Sequence, residues 1–460
     1  MRRTIENYRI KDYRIKDYRI KDYRIKDCRI KDYRIKDCRI KDYRIKDYRI
    51  KDYRIKDYRI KDYRIQDRNQ SEVLCVANPE EVIIAIMKKA GIDLAATLPC
   101  DRIKNLLPLV SENFPEIRLT REENGVGICA GAYLAGGKPM MLIQSTGLGN
   151  IINALESLNV ICKIPLPVLA SWRGVYGEGI EAQVPLGVHL PSILKGAGLE
   201  YTIIEDAEKI SLLENVIRDA FENLRPHIAL VSPKVWEASE CCAWETAGMP
   251  KKPEVMERAC RFNLTVENLR PLMLRDDAIC AVASQLDDEI TVTNLGVPCK
   301  ELYACKDRDL NFYMFGSMGL VSSIGLCLAL RTEMTVVVFD GDGSLLMNPN
   351  ALLEIGKEAQ KNLMIIGLDN GAYGSTGSQE TCALRYIDLG IFANACGIQN
   401  TAKVNSREGL IEAFKKFRDM QELSFIHVIL KPGNTKAPNI PLSPEEVTKR
   451  FKEALKTEMI

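Results

Sequence analysis

Asp342 lies in Gly341-Asp342-Gly343-Ser344 at the end of the apolar run Thr335 to Phe339, and Asn370 closes a second apolar run, Leu363 to Leu368, 28 positions later (370 − 342 = 28). That separation matches one strand–helix–strand crossover of about 30 residues. Both side chains are therefore expected at the carboxyl ends of parallel strands, where open α/β sheets bind ligands. One carboxylate and one neutral amide oxygen suit Mg²⁺, a hard cation that takes one or two protein oxygens and completes its shell with water and phosphate oxygens. The pair reads as an anchor for a metal-bound diphosphate.

Two other phosphate or metal motifs fail on inspection. A calcium loop starting at Asp340 would need Gly where Leu345 stands and Glu where Ala351 stands. Gly136-Gly137-Lys138 is followed by Pro139, where a P-loop needs Ser or Thr.

The elements that must hold these groups alternate in type along the chain. Asn78-Pro79-Glu80-Glu81 opens a helix, with Asn as cap, Pro in the first turn and two acids at the positive end of the helix dipole. Strand-like runs follow at Leu94 to Leu98, Met140 to Gln144, Leu166 to Ser171 and Ile228 to Ser232. They resume at Ile290 to Thr293, Thr335 to Phe339, Leu363 to Leu368 and Phe425 to Leu430. Strands alternating with helical stretches imply parallel sheets covered on both faces. Two doubly wound α/β domains are expected, over residues 78–236 and 254–460, with a polar, proline-containing linker at 237–253.

A second chemical element lies in the first half. Thr120-Arg121-Glu122-Glu123 runs into the small-residue stretch Asn124 to Tyr133. This places carboxylates at the start of an Ala- and Gly-rich helix, where the dipole favours them. The small apolar surroundings suggest that one of the two acids is buried.

Residues 8–67 are twelve five-residue units of Tyr-Arg-Ile-Lys-Asp, with Cys28 and Cys38 replacing Tyr and Gln66 replacing Lys. With twelve Arg, eleven Lys and twelve Asp they carry +11, and residues 1–7 add +1. Since the whole chain is +2, residues 68–460 carry 2 − 12 = −10. The body is acidic; the tail's +11 could attract nucleic acid or anionic lipid nonspecifically, an attraction that an Asp in every unit weakens, so no specific nucleic-acid partner is expected. A period of five aligns no stripe on a helix and switches sides on a strand. A stacked five-residue solenoid would need small residues where Tyr stands, so residues 1–70 are expected to be disordered or loosely helical.

The fifteen Cys are scattered, with no Cys-x-x-Cys, and no signal peptide precedes them, which points to a reduced, cytoplasmic chain. Phe312 to Leu330 carries no charge, but its Gly and Ser residues mark a buried core segment rather than a membrane span.

The anchor, the Glu122 segment, Gln144-Ser145-Thr146-Gly147, Ser171-Trp172-Arg173-Gly174, Asn294-Leu295-Gly296-Val297-Pro298, Gly316-Ser317-Met318-Gly319 and Asp369-Asn370-Gly371-Ala372-Tyr373-Gly374 together resemble the thiamin diphosphate-dependent 2-oxo acid decarboxylases. Within them the likeness is to the branch that acts on sulfopyruvate and phosphonopyruvate. It runs from about Asn78 to the C-terminus, leaves no room for the middle domain of larger members, and fuses halves that are separate α and β subunits in some relatives.

The resemblance implies thiamin diphosphate and Mg²⁺ as cofactors. It makes Asp342, Asn370 and the carbonyl of Ala372 the metal ligands, and sets Gly296, Gly341, Gly343 and Ser344 against the diphosphate. Gly316 would accept from the aminopyrimidine through its carbonyl, Met318 would wedge the cofactor into a bent form, and Glu122 would exchange a proton with the pyrimidine ring.

For the substrate, Arg173 is the leading cation, followed by Lys300 and Arg385, with Gln183 and His189 as proton-relay groups. The implied reaction converts 3-sulfopyruvate to sulfoacetaldehyde and CO₂, a step of coenzyme M biosynthesis. Phosphonopyruvate or another short 2-oxo acid is the alternative substrate. A nonenzymatic paralogue acting through its basic tail is the alternative of a different class. Because the family binds its cofactor between domains of different chains, at least a homodimer is expected, with Glu122 serving a neighbouring chain.

Overall fold

A computed structural model describes residues 78–237, 239, 241, 269–358 and 360–458, together with seven short strands within residues 4–45. The chain divides into two units, residues 1–76 and 77–460.

In the first unit the strands pair in parallel at a spacing of twenty residues. Thr4 pairs with Arg24 and Arg24 with Arg44, while Ile15 pairs with Ile35 and Ile20 with Ile40. Twenty residues are four repeat units and an even number of positions, so identical residues return to the same register on an extended chain. These segments are extended, not the loosely helical form considered from sequence; the rest of that unit lies outside the described residues.

The second unit opens with α1 (Pro79–Lys89), whose Pro and Glu80–Glu81 occupy the first turn and whose Lys88 and Lys89 occupy the last, matching the dipole at both ends. Asn78 stands at the cap position without a side-chain cap bond. The first sheet contains β1 (Leu94–Thr97), β2 (Glu116–Arg118), β3 (Pro139–Gln144), β4 (Leu166–Ser171), β5 (Glu200–Ile204) and β6 (Pro226–Val231), in the order β5-β6-β4-β3-β1-β2. The second contains β7 (Ile290–Thr293), β8 (Asn311–Tyr313), β9 (Val336–Gly341), β10 (Leu363–Asp369), β11 (Asn400–Val404) and β12 (Ser424–Ile429), in the order β8-β7-β9-β10-β12-β11. Every pairing in both sheets is parallel. The central strands are continuous apolar runs buried on both faces, as in β10 where all seven residues are buried. Most of the expected linker lies outside the described residues.

The second sheet reverses its winding between β7 and β9, because β8 lies on one side of that pair and β10 on the other. Such a switch point opens a crevice at the carboxyl ends of the two strands. Asn294 and Asp342 are the residues that leave β7 and β9 at that end.

The two sheets are joined through two helices, α2 (Glu122–Leu134) and, from the second half, α7 (Val321–Arg331); α3 (Leu148–Ala154), α4 (Val184–Gly196), α5 (Arg275–Ala283) and α6 (Val297–Lys306) lie between them in sequence. α2 is buried nearly all round, as a helix at the centre of an assembly must be. Its small residues permit a close approach: a Cβ on Gly131 would stand 2.5 Å from the carbonyl oxygen of Ile324, and one on Gly127 would stand 2.8 Å from Ser323 Cβ. Any larger side chain at Gly131 would push the helices apart.

Two sequence expectations are settled here. Cys280 on α5 and Cys305 on α6 form a disulfide with Cα atoms 5.5 Å apart, so the wholly reduced reading fails at one pair. Their separation of 25 residues hid the pairing until the helices packed side by side. Among the described residues no helix is long and apolar enough to cross a membrane, and the uncharged stretch from Phe312 ends in the eleven-residue α7.

Candidate active site

Three short helices complete the vocabulary of the site: α8 (Asp342–Met347), α9 (Asn350–Glu358) and α10 (Leu389–Ala395). Asp342 begins α8 with 3% of its surface exposed. Burial, opposed by a hydrogen bond from the Thr381 hydroxyl and reinforced by the nearby charge of Asp369, pushes its carboxyl up to about 7. Thr381 Oγ1 donates to Asp342 Oδ2 at 2.5 Å. Across the crevice Asn370 is 4% exposed; its Oδ1 accepts the Ala372 N–H at 3.1 Å, while its Nδ2 is buried without a partner. Gly371 turns the chain between them at φ +67°. Gly343 must lack a side chain, since a Cβ there would stand 2.4 Å from the ring of Tyr373.

These observations fit a cation and an anionic ligand. A buried carboxylate raised by burial despite bonds from the Thr381 hydroxyl and the Gly343 and Asp342 N–H groups still carries a desolvation cost, and the orphaned amide of Asn370 marks an incomplete hydrogen-bond shell. Asp342, Asn370 Oδ1 and the Ala372 carbonyl, which accepts from Gly374 N at 3.0 Å, supply only oxygens, the donor set Mg²⁺ prefers. Gly296 lies at the same crevice with φ +84°, and a Cβ on it would approach Ser375 Oγ to 3.3 Å; Gly341 sits 3.4 Å from Asn294 Nδ2 by the same measure. Ser344 is turned inward. Its hydroxyl accepts the Gly319 N–H at 3.1 Å and also bonds Asp340, so the expected contact with a diphosphate is not its present role.

Glu122 opens α2 in the first half. Its Oε2 accepts from Asn150 Nδ2 at 3.0 Å, and a Cβ on Gly147 would collide with its Oε1 at 2.4 Å. Glu123 pairs instead with Arg121 at 3.2 Å. Both acids are half-buried, so neither is fully buried as the sequence suggested.

The segment Gly316 to Gly319 lies where the two halves meet. Ser317, at φ +58°, is 2.7 Å from Ser157 Oγ and donates to the Ala154 carbonyl at 3.2 Å. A side chain on Gly316 would strike the Ser157 carbonyl oxygen at 2.4 Å. Asn348 then donates both to Asn124 Oδ1, 2.5 Å, and to the Gly319 carbonyl, 3.1 Å. Glu354 Oε1 accepts from the N–H and hydroxyl of Thr120 at 2.6 and 2.9 Å, two residues before Glu122. The helix that carries Glu122 is thereby tied to the helices that carry and follow Asp342. Met318 is only partly buried between buried Ser317 and Gly319, so it is not core filler. Within the chain, the helix of Glu122 is held against the second half by these contacts.

The substrate-side expectations fare differently. Arg173 is buried, with Nε and Nη2 at 2.6 and 2.8 Å from the two oxygens of Glu178 and Nη1 at 3.5 Å from Gln144. Its guanidinium holds the Glu178 carboxyl down to about 2. This bidentate, desolvated pair commits Nε and Nη2 to Glu178 and leaves Nη1 toward Gln144. Arg385 is exposed and paired with Glu380. Lys300 is the one of the three cations without an ion-pair partner among the described residues. His189 is exposed on α4, because that helix turns Gly187, Leu190 and Leu194 inward. Gln183 precedes α4 and is half-buried, with Oε1 unpartnered. No hydrogen bond or ion pair links either residue to the Asp342 cluster.

Sequence reasoning missed Asn124, Asn348, Glu354 and Thr381. Only Asn124 carried a signal, as the one amide inside an otherwise small and apolar helix.

Comparisons with known proteins bear on the family. Residues 78–190 match the model described as thiamine pyrophosphate enzyme, N-terminal TPP binding domain, and residues 301–428 match the corresponding C-terminal TPP binding domain. Sulfopyruvate decarboxylase of Methanosarcina acetivorans is 84% identical over 380 residues, covering 83% of this chain and 98% of that one. Phosphonopyruvate decarboxylase of Streptomyces viridochromogenes is 31% identical over 381 residues, 82% and 94% of the two chains. In Methanococcus maripaludis, the two halves have separate counterparts: sulfopyruvate decarboxylase subunit beta, 43% identical over 40% of this chain and 98% of that one, and subunit alpha, 35% identical over 29% and 88%. The fold is also that of benzoylformate decarboxylase from Polynucleobacter necessarius, with a TM-score of 0.59 at 13% identity, covering 77% of this chain and 99% of that one. Both family models and the relative that is 84% identical over most of the chain show that the chain belongs to the thiamine pyrophosphate enzymes.

Proposed function

We propose that this chain catalyses the Mg²⁺- and thiamin diphosphate-dependent decarboxylation of 3-sulfopyruvate to sulfoacetaldehyde and CO₂, the step that coenzyme M biosynthesis requires. The observation that carries the reading is the tie from Glu122's helix through Asn124 and Asn348 to Gly319 and α8, supported by the relative that is 84% identical. Bound thiamin diphosphate supplies the electron sink that takes up the charge released with CO₂.

The chain's own residues do the rest. Asp342, Asn370 and the Ala372 carbonyl hold the cation. Glu122 holds a proton at the far end of the cleft, with Asn150 fixing one carboxyl oxygen and Gly147 leaving room for the other. The burial of the crevice excludes water, and a proton takes the place of the lost carboxylate in the product. Lys300, which has no ion-pair partner among the described residues, is the leading candidate for a substrate anion. The assembly proposed is a cytoplasmic homo-oligomer of at least two chains.

The test is a substrate panel. kcat/KM for 3-sulfopyruvate is expected to exceed that for phosphonopyruvate by at least about tenfold, ~1.4 kcal/mol of discrimination. Turnover should vanish without thiamin diphosphate and Mg²⁺. A preference for phosphonopyruvate would transfer the assignment to that substrate, and cofactor-independent turnover would end the reading.

Deleting residues 1–67 should leave this activity and the melting temperature of the second unit unchanged, since the two units are compact separately. The 84% identical relative is itself covered to 98% by a match that leaves 17% of this chain unused. Loss of folded protein on deletion would contradict this.

A further inference from the structure

β12 carries an ionic chain that the proposed chemistry does not use. His427 is 1% exposed between apolar Ile426 and Val428. Its Nε2 lies 2.8 Å from Asp369 Oδ2, and its Nδ1 lies 3.3 Å from Asp388 Oδ1 and 3.3 Å from the Gly390 N–H that donates to it. Asp388 caps α10 by accepting the Ile391 N–H at 3.0 Å, and its other oxygen is 2.6 Å from Lys403 Nζ on β11. At the opposite end Asp369 Oδ1 accepts the Gly371 N–H at 3.0 Å, and its carbonyl accepts the Leu430 N–H at 2.7 Å. The parallel register that sets Gly367 against His427 brings the imidazole to the carboxyl end of β10.

A buried ionic chain of this length is a poor way to gain stability. Well-packed apolar residues of similar volume often serve as well or better, because each buried charge carries a desolvation cost. What it does provide is a fixed geometry. Asp369 adjoins Asn370 and reaches the amide of Gly371, so it controls the turn from which Asn370 and the Ala372 carbonyl face Asp342. Its negative charge is also close enough to Asp342 to be felt there. One Asp369 oxygen is held by the Gly371 N–H and the other by His427, which fixes the orientation of the carboxylate.

Building on the function proposed above, we infer that His427 is a positioning residue: by pinning Asp369 it sets the Asn370–Ala372 turn for cation and diphosphate binding, without touching either. Partners one shell out from metal ligands are typically worth roughly 10- to 100-fold in metal affinity.

The experiment compares His427→Leu, His427→Gln and Asp388→Asn in the full chain. The Mg²⁺ concentration for half-maximal thiamin diphosphate binding is measured by titration calorimetry. kcat is measured at saturation, and amide hydrogen exchange across residues 369–373 is measured without cofactor. His427→Leu is expected to raise the Mg²⁺ requirement by roughly 10- to 100-fold, to speed exchange at Gly371 and to leave saturated kcat near the parent value. His427→Gln, whose amide can still donate to Asp369, should recover most of the loss. Asp388→Asn keeps the cap of α10 and should shift the requirement in the same direction by a smaller factor.

A folded His427→Leu protein with parental Mg²⁺ dependence and parental exchange overturns the inference, as does a loss confined to kcat. Should His427→Leu fail to fold, an unchanged Mg²⁺ requirement in Asp388→Asn overturns it. If the parent itself binds no thiamin diphosphate with Mg²⁺, the functional reading fails, while the exchange comparison still decides whether His427 sets the turn.

Discussion

Glu122→Gln is expected to lower kcat by roughly 10²- to 10⁴-fold, the range for a positioned acid–base group, with no change in melting temperature. The amide can still accept from Asn150 and fits beside Gly147, so packing at the start of α2 survives. What is lost is the exchangeable proton. Steady-state rates at saturating thiamin diphosphate and Mg²⁺, with circular dichroism as the fold control, measure it; full activity in the variant would remove Glu122 from the chemistry.

Asp342→Asn has two opposite consequences. Cation-dependent cofactor binding should fall by at least about 100-fold, the upper end of what even a supporting partner of a metal is worth, because the one charged ligand is gone. The cation-free protein, in contrast, should become more stable at pH 8. Burial pushes the Asp342 carboxyl up to about 7 from the ordinary value of 3.8, so between these values the folded chain binds a proton that the unfolded chain has released. Stability therefore falls as pH rises through that window, and the full cost, up to about 4 kcal/mol at 1.36 kcal/mol per unit, applies above pH 7. The asparagine variant escapes this cost. Thermal melts at pH 5 and pH 8 should show a pH-dependent destabilisation in the parent that shrinks in Asp342→Asn and on adding Mg²⁺ with thiamin diphosphate. A parent melting curve indifferent to pH over that window would contradict a carboxylate whose burial outweighs its hydrogen bonds.

Eight strands were legible from sequence because each is an apolar run buried on both faces. The four that were not, β2, β5, β8 and β11, are the four sheet edges. Edge strands are short or half-polar, with one neighbour instead of two, so periodicity has little to report. The same division holds in the site. Asp342 and Asn370 could be read because one crossover fixes their spacing. Asn124 with Asn348, and Thr120 with Glu354, could not, being contacts across 224 and 234 residues. Arg173 suits an anion by type, but its pairing with Glu178, five positions away, could not be read from spacing.

The hydrogen bonds between Asn124 and Asn348 and between Thr120 and Glu354 join parts that related organisms make as separate polypeptides. On one chain, encounter of the partners no longer depends on how much of each the cell produces. Tethering sets a local concentration on the order of mM for short flexible connections, so this interface should outlast dilutions that dissociate a two-gene counterpart. Expression of a single gene also fixes their stoichiometry at one to one.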